Sequence, residues 1–305
     1  MRAFAWFLLL LAAAFAAVAL LAYPSWLLLQ LIWRLLHLHF GFAFHRVGER
    51  VGMLALLLGF IAIARRLRLA DRASLGYGLP RPRFLREAGL GLAVGLATML
   101  AGVALMAALG LLAWTPTADS GAGALGRLIL ASALSALAVA FIEETFLRGA
   151  MHTAIERESG TLAAVLLTAI LYAATHFFAK VRIPPEGVTP LSGLELITGT
   201  LRTLAHPGGI ADAFLALAAV GVVLALVRAA TGNIAACIGL HAGWVWVMLV
   251  AHDLTHPRSG AQLGFLLSRF DGFVGWLVLG WTALLAVPLW RLFAARAAAA
   301  VSVPK

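Results

Sequence analysis

Long apolar runs follow one another through almost the whole of this 305-residue chain. The first begins directly after Arg2 and continues for about twenty residues, the length of a helix that crosses a bilayer. Hydrophobic residues make up 63% of the chain and charged residues 12%, with a mean hydropathy of +0.98. Because a soluble domain is far less apolar, the sequence predicts an all-α, polytopic membrane helical bundle.

About eight of these apolar segments are candidates for membrane-spanning helices. We predict spans at residues 1–21, 50–64, 88–114, 125–158, 161–178, 211–228, 234–251 and 273–293. Pro24 is expected to end the first span, and the short apolar stretch 25–40 is interpreted as an interfacial helix. Gly91 and Gly95 have a spacing that favours close helix packing. The polar insert 180–210 is either a functional lid or a disordered loop.

Arginines predict the orientation in the membrane. Seven of them lie between Arg65 and Arg86, and an excess of arginine is typical of cytoplasmic loops. With this loop inside, eight spans place both termini in the cytoplasm, and the chain is a multi-pass protein of the cell membrane. The net charge is +10, but the basic residues lie mainly in loops between spans. We therefore expect membrane lipids as partners, and no nucleic acid.

The predicted spans suggest three parts. Residues 1–124 hold the first three spans, the interfacial helix and the arginine-rich loop; residues 125–252 hold a core of spans four to seven; and residues 253–305 hold the last span and a tail.

Cys237 is the single cysteine, which excludes an intrachain disulfide and any cysteine-based zinc site.

The segment F-I-E-E-T-F-L-R, residues 141–148, places three ionisable side chains inside an apolar helix. Such groups are costly at membrane depth and often mark a functional site. Glu144 and Arg148 are four residues apart, so they share one helix face and can form an ion pair. Glu143 is rotated by about 100° from Glu144. Either all three form one structural cluster, or the pair is a brace and Glu143 is free to act as a base or metal ligand.

Two histidines are predicted within later spans, His176 and His241. Counting from the predicted cytoplasmic helix ends puts His241 at roughly 10 Å depth, Glu143 at roughly 15 Å and His176 at roughly 23 Å. One shared site therefore requires uneven or tilted helices.

Three motifs carry a resemblance to a known family. E-E-x-x-x-R at residues 143–148, an aromatic residue four positions before His176, and His-Ala-Gly-Trp from His241 resemble the motifs of the CPBP intramembrane proteases. That family includes CAAX prenyl-protein endopeptidases and bacteriocin-processing and self-immunity proteins. The resemblance covers about residues 125–250. Where the family often has Asn or Asp, four residues after its second His, this chain has Val245.

The resemblance implies a role for each residue. Glu143 and His176 would activate water, Glu144 and Arg148 would brace each other, and His241 would bind a metal or the oxyanion. A buried carboxylate is a suitable base for this chemistry. Glu143, His176 and His241 could also hold Zn²⁺ as one carboxylate and two imidazoles, with the fourth position open to water. This metal is implied by the resemblance alone.

Three classes of function remain after the sequence analysis. The first is an intramembrane endopeptidase, CAAX-protease-like, that cuts membrane-associated peptides or membrane-tethered proteins at the cytoplasmic side. The second is a catalytically silent relative that binds or chaperones membrane peptides, as the departure at Val245 suggests. The third is a proton-coupled transporter, in which Glu143, His176 and His241 would relay protons; discontinuous helices or an internal repeat would be expected of it.

Overall fold

The computed structural model of the chain describes residues 1–37, 42–115, 121–178 and 181–301. It is 78% helical, which confirms the predicted all-α class. The helices are α1 (Arg2–Leu35), α2 (Phe44–Ala64), α3 (Arg81–Ala108), α4 (Ala122–Glu144), α5 (His152–Thr175), α6 (Ser192–Ala205), α7 (Ala211–Thr231), α8 (Ala235–Leu254) and α9 (Trp276–Val301). A π-helical turn, Thr145–Met151, joins α4 to α5. Two short strands, β1 (Leu112–Trp114) and β2 (Thr255–Pro257), pair antiparallel.

Within these ranges, seven helical segments are long and apolar enough to cross a membrane. One of them, Ala122–Thr175, is 54 residues long, which at 1.5 Å per residue is more than twice the hydrocarbon thickness of a bilayer. Gly160 interrupts it with φ 83° and ψ 167°, a conformation that glycine adopts easily. The predicted fourth and fifth spans are the two parts of this segment, so the polytopic helical bundle is confirmed.

The predicted end of the first span at Pro24 is wrong. Helix α1 continues through Pro24 as one helix of 34 residues, so no separate interfacial helix begins at residue 25; residues 38–40 of that stretch lie outside the described residues. Proline removes one backbone hydrogen bond, a loss that membrane helices tolerate when neighbouring groups compensate. Ala22 and Trp26, on either side of the proline, are both buried, so the packed face of α1 is continuous.

The chain forms two compact units, of which the first comprises residues 1–68 and 173–210. Its core joins α1, α2 and α6 through side chains that include Val18, Phe44 and Leu196. Helix α6 lies in the polar insert, so this part of the insert is an ordered helix that packs against α1 and α2. Gly193 allows α6 to approach α1 closely, because a Cβ there would lie 2.6 Å from the carbonyl oxygen of Val18.

The second unit comprises residues 69–172 and 211–305. Helices α3 and α8 pack along glycines, as the spacing of Gly91 and Gly95 predicts. A Cβ on Gly95 would lie 2.5 Å from the carbonyl oxygen of Leu240, and one on Gly239 would lie 1.9 Å from that of Ala88. Since these contacts are backbone to backbone, the two helices touch without intervening side chains. This seam fixes the position of α8.

We expect Gly239→Ala to destabilise the second unit, because the added methyl group must push α8 away from α3. Overpacking of this kind costs about 1–3 kcal/mol or more, so the midpoint of thermal unfolding in detergent should fall by several degrees. Gly280→Ala, on α9, is the matched control because nothing lies within 4 Å of its Cβ. Equal unfolding midpoints for the two variants would show that the α3–α8 seam is not tightly packed.

Candidate active site

The acidic pair lies where α4 ends. Glu143 and Glu144 are the last two residues of α4, and the π-helical turn follows at once. A π turn is wider than an α turn and is frequent at functional sites. The Glu144 side chain is fully buried, whereas that of Glu143 is 34% exposed. The two neighbours therefore occupy different environments, as their rotation about the helix axis predicts.

Glu144 and Arg148 form an ion pair. Arg148 donates from Nη1 to Oε1 of Glu144 at 2.9 Å, and both side chains are fully buried. Arg148 also donates from Nη2 to the carbonyl oxygen of Gly221 on α7, at 3.1 Å. Its guanidinium carbon lies 4.8 Å from the centre of the Tyr172 ring, a cation–π contact. The pair thus ties the π turn to α5 and α7, which is the geometry that a brace requires.

His241 on α8 shares the same carboxylate oxygen, a contact that the sequence did not reveal. Nδ1 of His241 lies 2.8 Å from Oε1 of Glu144. A carboxylate only accepts hydrogen bonds, so this nitrogen donates. The ring's other nitrogen, Nε2, lies 4.0 Å from Oε2 of Glu143 and 3.5 Å from the hydroxyl of Tyr172. Glu144 therefore orients the imidazole so that Nε2 is directed to Glu143.

Beside this histidine, Glu143 has a hydrogen-bond acceptor that lacks a partner. Its Oε2 is buried and has no hydrogen-bond partner. Buried polar atoms usually have a partner, so an atom of this kind points to a ligand, substrate or water. Of the predicted catalytic residues, the structure thus brings Glu143 and His241 together.

The third predicted catalytic residue, His176, belongs to the first unit. It is half-buried and lies in the turn 176–178 that follows α5, just beyond the end of the span. Its role in catalysis stays a prediction from the resemblance.

Two other arginines and a loop support the π turn. Arg228, buried on α7, donates from Nε to the carbonyl oxygen of Arg148 at 3.0 Å and from Nη2 to the Thr153 hydroxyl. Sequence reasoning missed this role, although an arginine near the end of an apolar span was a signal for it. Arg157 on α5 donates to the hydroxyl of Ser74 at 2.7 Å, which joins the helix to the loop before α3.

That loop, residues 69–80, contacts the π turn directly. The Tyr77 hydroxyl is hydrogen-bonded to the Thr145 hydroxyl, and burial raises the pKa of Tyr77. Gly149 lets the loop approach, because a Cβ there would lie 2.6 Å from the carbonyl oxygen of Leu75. Within the loop, hydrogen bonds from Ser74 hold the pKa of Asp71 below its usual range. The arginine-rich segment is therefore an anchored part of the second unit from residue 69 onward.

Within the second unit, two of the three donors of the implied zinc site lie together, Glu143 and His241. Catalytic zinc normally has three protein ligands and one open position. In the part of the chain that the structure describes, no group of three His, Cys, Asp or Glu side chains is placed to hold a metal. Glu143 and His241 supply two donors, and the Oε1 of Glu144 already accepts from Arg148 and His241. We therefore route no chemical step through a metal, and zinc binding stays a prediction.

We expect Arg148→Met to destabilise the protein, because Glu144 is left buried without its cation at a cost of about 3–5 kcal/mol. The double variant Glu144→Gln with Arg148→Met should recover much of the lost expression and thermal stability, since the buried charge is gone. If the double variant is as unstable as Arg148→Met, the ion pair is not what holds this turn.

The part of the chain that holds this site is similar to a known protein family. Residues 125–247 match the family model described as type II CAAX prenyl endopeptidase Rce1-like, a stretch that covers less than half of the chain and contains Glu143, His176 and His241. No curated protein and no solved structure matches the chain significantly. The match agrees with the resemblance that the three motifs indicated: residues 125–247 are similar to an Rce1-like, type II CAAX prenyl endopeptidase domain.

Proposed function

We propose that this chain is an intramembrane endopeptidase that hydrolyses a peptide bond by means of a water molecule activated by Glu143 and His241. The observation that carries the proposal is the 4.0 Å separation between Oε2 of Glu143 and Nε2 of His241, with the imidazole held by the buried carboxylate of Glu144. The family of the Rce1-like domain and the apolar helices around it support the same function.

The separation suits one bridging water. A water about 2.8 Å from both atoms makes normal hydrogen bonds to each, so its two hydrogens are directed to Glu143 and His241. Its oxygen lone pairs then face away from both acceptors, toward a substrate carbonyl. As the oxygen attacks the carbonyl carbon, Glu143 takes the proton. When the carbon–nitrogen bond breaks, Glu143 returns that proton to the leaving amine. General acid–base catalysis of this kind contributes about 10²–10⁴ in rate.

His241 acts in this scheme as an acceptor. Because Nδ1 donates to Glu144, Nε2 of a neutral ring is an acceptor, and it also faces the Tyr172 hydroxyl at 3.5 Å. This favours a role in holding the water over a role as an oxyanion donor. The resemblance implies that His176 also acts on the water, and this role stays a prediction.

The substrate class follows from the family description and from the membrane. The matched family is described as a CAAX prenyl endopeptidase, and a CAAX motif is a C-terminal prenylation signal, so we propose membrane-tethered peptides or proteins as substrates. The excess of arginine between Arg65 and Arg86 favours a cytoplasmic position for that loop and for both termini. Peptides anchored in the cytoplasmic leaflet of the cell membrane are then the natural substrates.

A catalytically silent, peptide-binding relative is the second candidate. Val245, where the family often has Asn or Asp, is half-buried and cannot donate a hydrogen bond to an oxyanion. Under this reading the same site would bind a tethered peptide without cleaving it.

We expect purified wild-type protein in liposomes to release the C-terminal fragment of prenylated CAAX-type peptides, or of a member of a membrane-tethered peptide library, as measured by mass spectrometry. Glu143→Gln keeps the size of the side chain but removes the base, so cleavage should fall by about 10²–10⁴ with normal expression. Glu195→Gln, an exposed carboxylate on α6, is the control and should cleave as the wild type does.

The outcomes separate the candidates. Undiminished cleavage by Glu143→Gln would contradict the catalytic role of Glu143. A wild-type protein that binds the tethered peptides but releases no fragment from any of them would favour the silent relative.

A further inference from the structure

A charged cleft lies in the second unit, where three helices end together. Its wall is formed by the first turns of α3, the turn between α7 and α8, and the last turns of α9. Charged residues Arg83, Glu87 and Arg296 line it, beside the polar turn residues Thr231 and Asn233 and the apolar side chain of Phe293. None of these residues takes part in the proposed chemistry.

The two arginines of the cleft differ in their partners. Arg296 is paired with Glu87, to which it donates from Nε at 3.2 Å and from Nη2 at 3.0 Å. Arg83 forms no ion pair with a described carboxylate, and its Nε is buried without a hydrogen-bond partner. A buried N–H group of a charged side chain without an acceptor is costly. The cleft therefore has an unused cation and an unused donor, which an anion would satisfy.

The surroundings of Arg83 strengthen the attraction for an anion. The carboxylate of the cleft, Glu87, accepts from Arg296, and the uncharged Asn233 is engaged with the backbone of Thr231 and Ala235. Helix α3 begins at Arg81 with no acidic residue in its first turn and no side-chain cap, so its free N–H groups add a partial positive charge. Arg86 is a further cation on the same helix, 3.7 Å from Glu87.

We propose that this cleft binds the phosphate of an anionic phospholipid headgroup, with Arg83 as the main contact. The three helices that meet here, α3, α7 and α9, are all candidate membrane spans, so their shared end lies at the level of the lipid headgroups. Basic pockets between membrane helices on the cytoplasmic side are suited to anionic headgroups.

The test is a titration of the detergent-purified full chain with phosphatidylglycerol, followed by native mass spectrometry. Wild-type protein should retain a bound phosphatidylglycerol and bind phosphatidylcholine of the same acyl chains more weakly. Arg83→Gln should weaken phosphatidylglycerol binding at least about tenfold, because it removes a charge-assisted contact. Arg83→Lys, which keeps the charge without Nε, should be intermediate.

Arg291→Gln is the matched control, because it removes the same charge from an exposed position on α9 outside the cleft. Its affinity for phosphatidylglycerol should equal that of the wild type. Equal losses in Arg83→Gln and Arg291→Gln would reduce the effect to general surface charge and overturn the proposal. Competition by inorganic phosphate at the same concentration as the lipid would assign the cleft to a free anion instead. Binding is the only readout, so the result is independent of peptide cleavage.

Discussion

The structure of the site depends on one buried carboxylate. Glu144 accepts hydrogen bonds from Arg148 at 2.9 Å and from His241 at 2.8 Å through the same oxygen. The first contact supplies the positive charge that a fully buried carboxylate needs at this depth. The second fixes the rotation of an imidazole on another helix. One oxygen of this side chain thus pairs with a cation and orients the group that faces Glu143, so structure and proposed chemistry depend on the same atom.

The rest of the second unit holds the Glu144 carboxylate and the His241 imidazole in position. Packing along glycines between α3 and α8 sets the position of His241, because no side chain separates the two helices. The π turn that carries Arg148 is tied by Arg228 from one side and by Tyr77 from the loop before α3. Together these contacts hold the two partners of Glu144 in place, Arg148 on the π turn and His241 on α8.

Local features of the site were predictable from the sequence, and non-local ones were not. The pair of Glu144 and Arg148 follows from helical spacing, and the different environment of Glu143 follows from its rotation. The contact between Glu144 and His241 joins residues 97 positions apart, and no periodicity encodes it. Depth counted along straight helices separated His241 from Glu143 by about 5 Å, a difference that their side chains bridge, with 4.0 Å between Nε2 and Oε2. Pro24 shows the same limit, because its effect on α1 depends on the neighbours that the helix packs against.

The most direct test of this account is ¹⁵N NMR of histidine-labelled protein, with the His241 signals identified by their loss in His241→Ala. The account predicts that Nδ1 of His241 carries a proton hydrogen-bonded to a carboxylate, and that its resonance shifts in Glu144→Gln. Glu143→Gln should change the Nε2 resonance and leave that of Nδ1 in place. A Nδ1 resonance of His241 that is unaffected by Glu144→Gln would contradict the central role of the shared carboxylate.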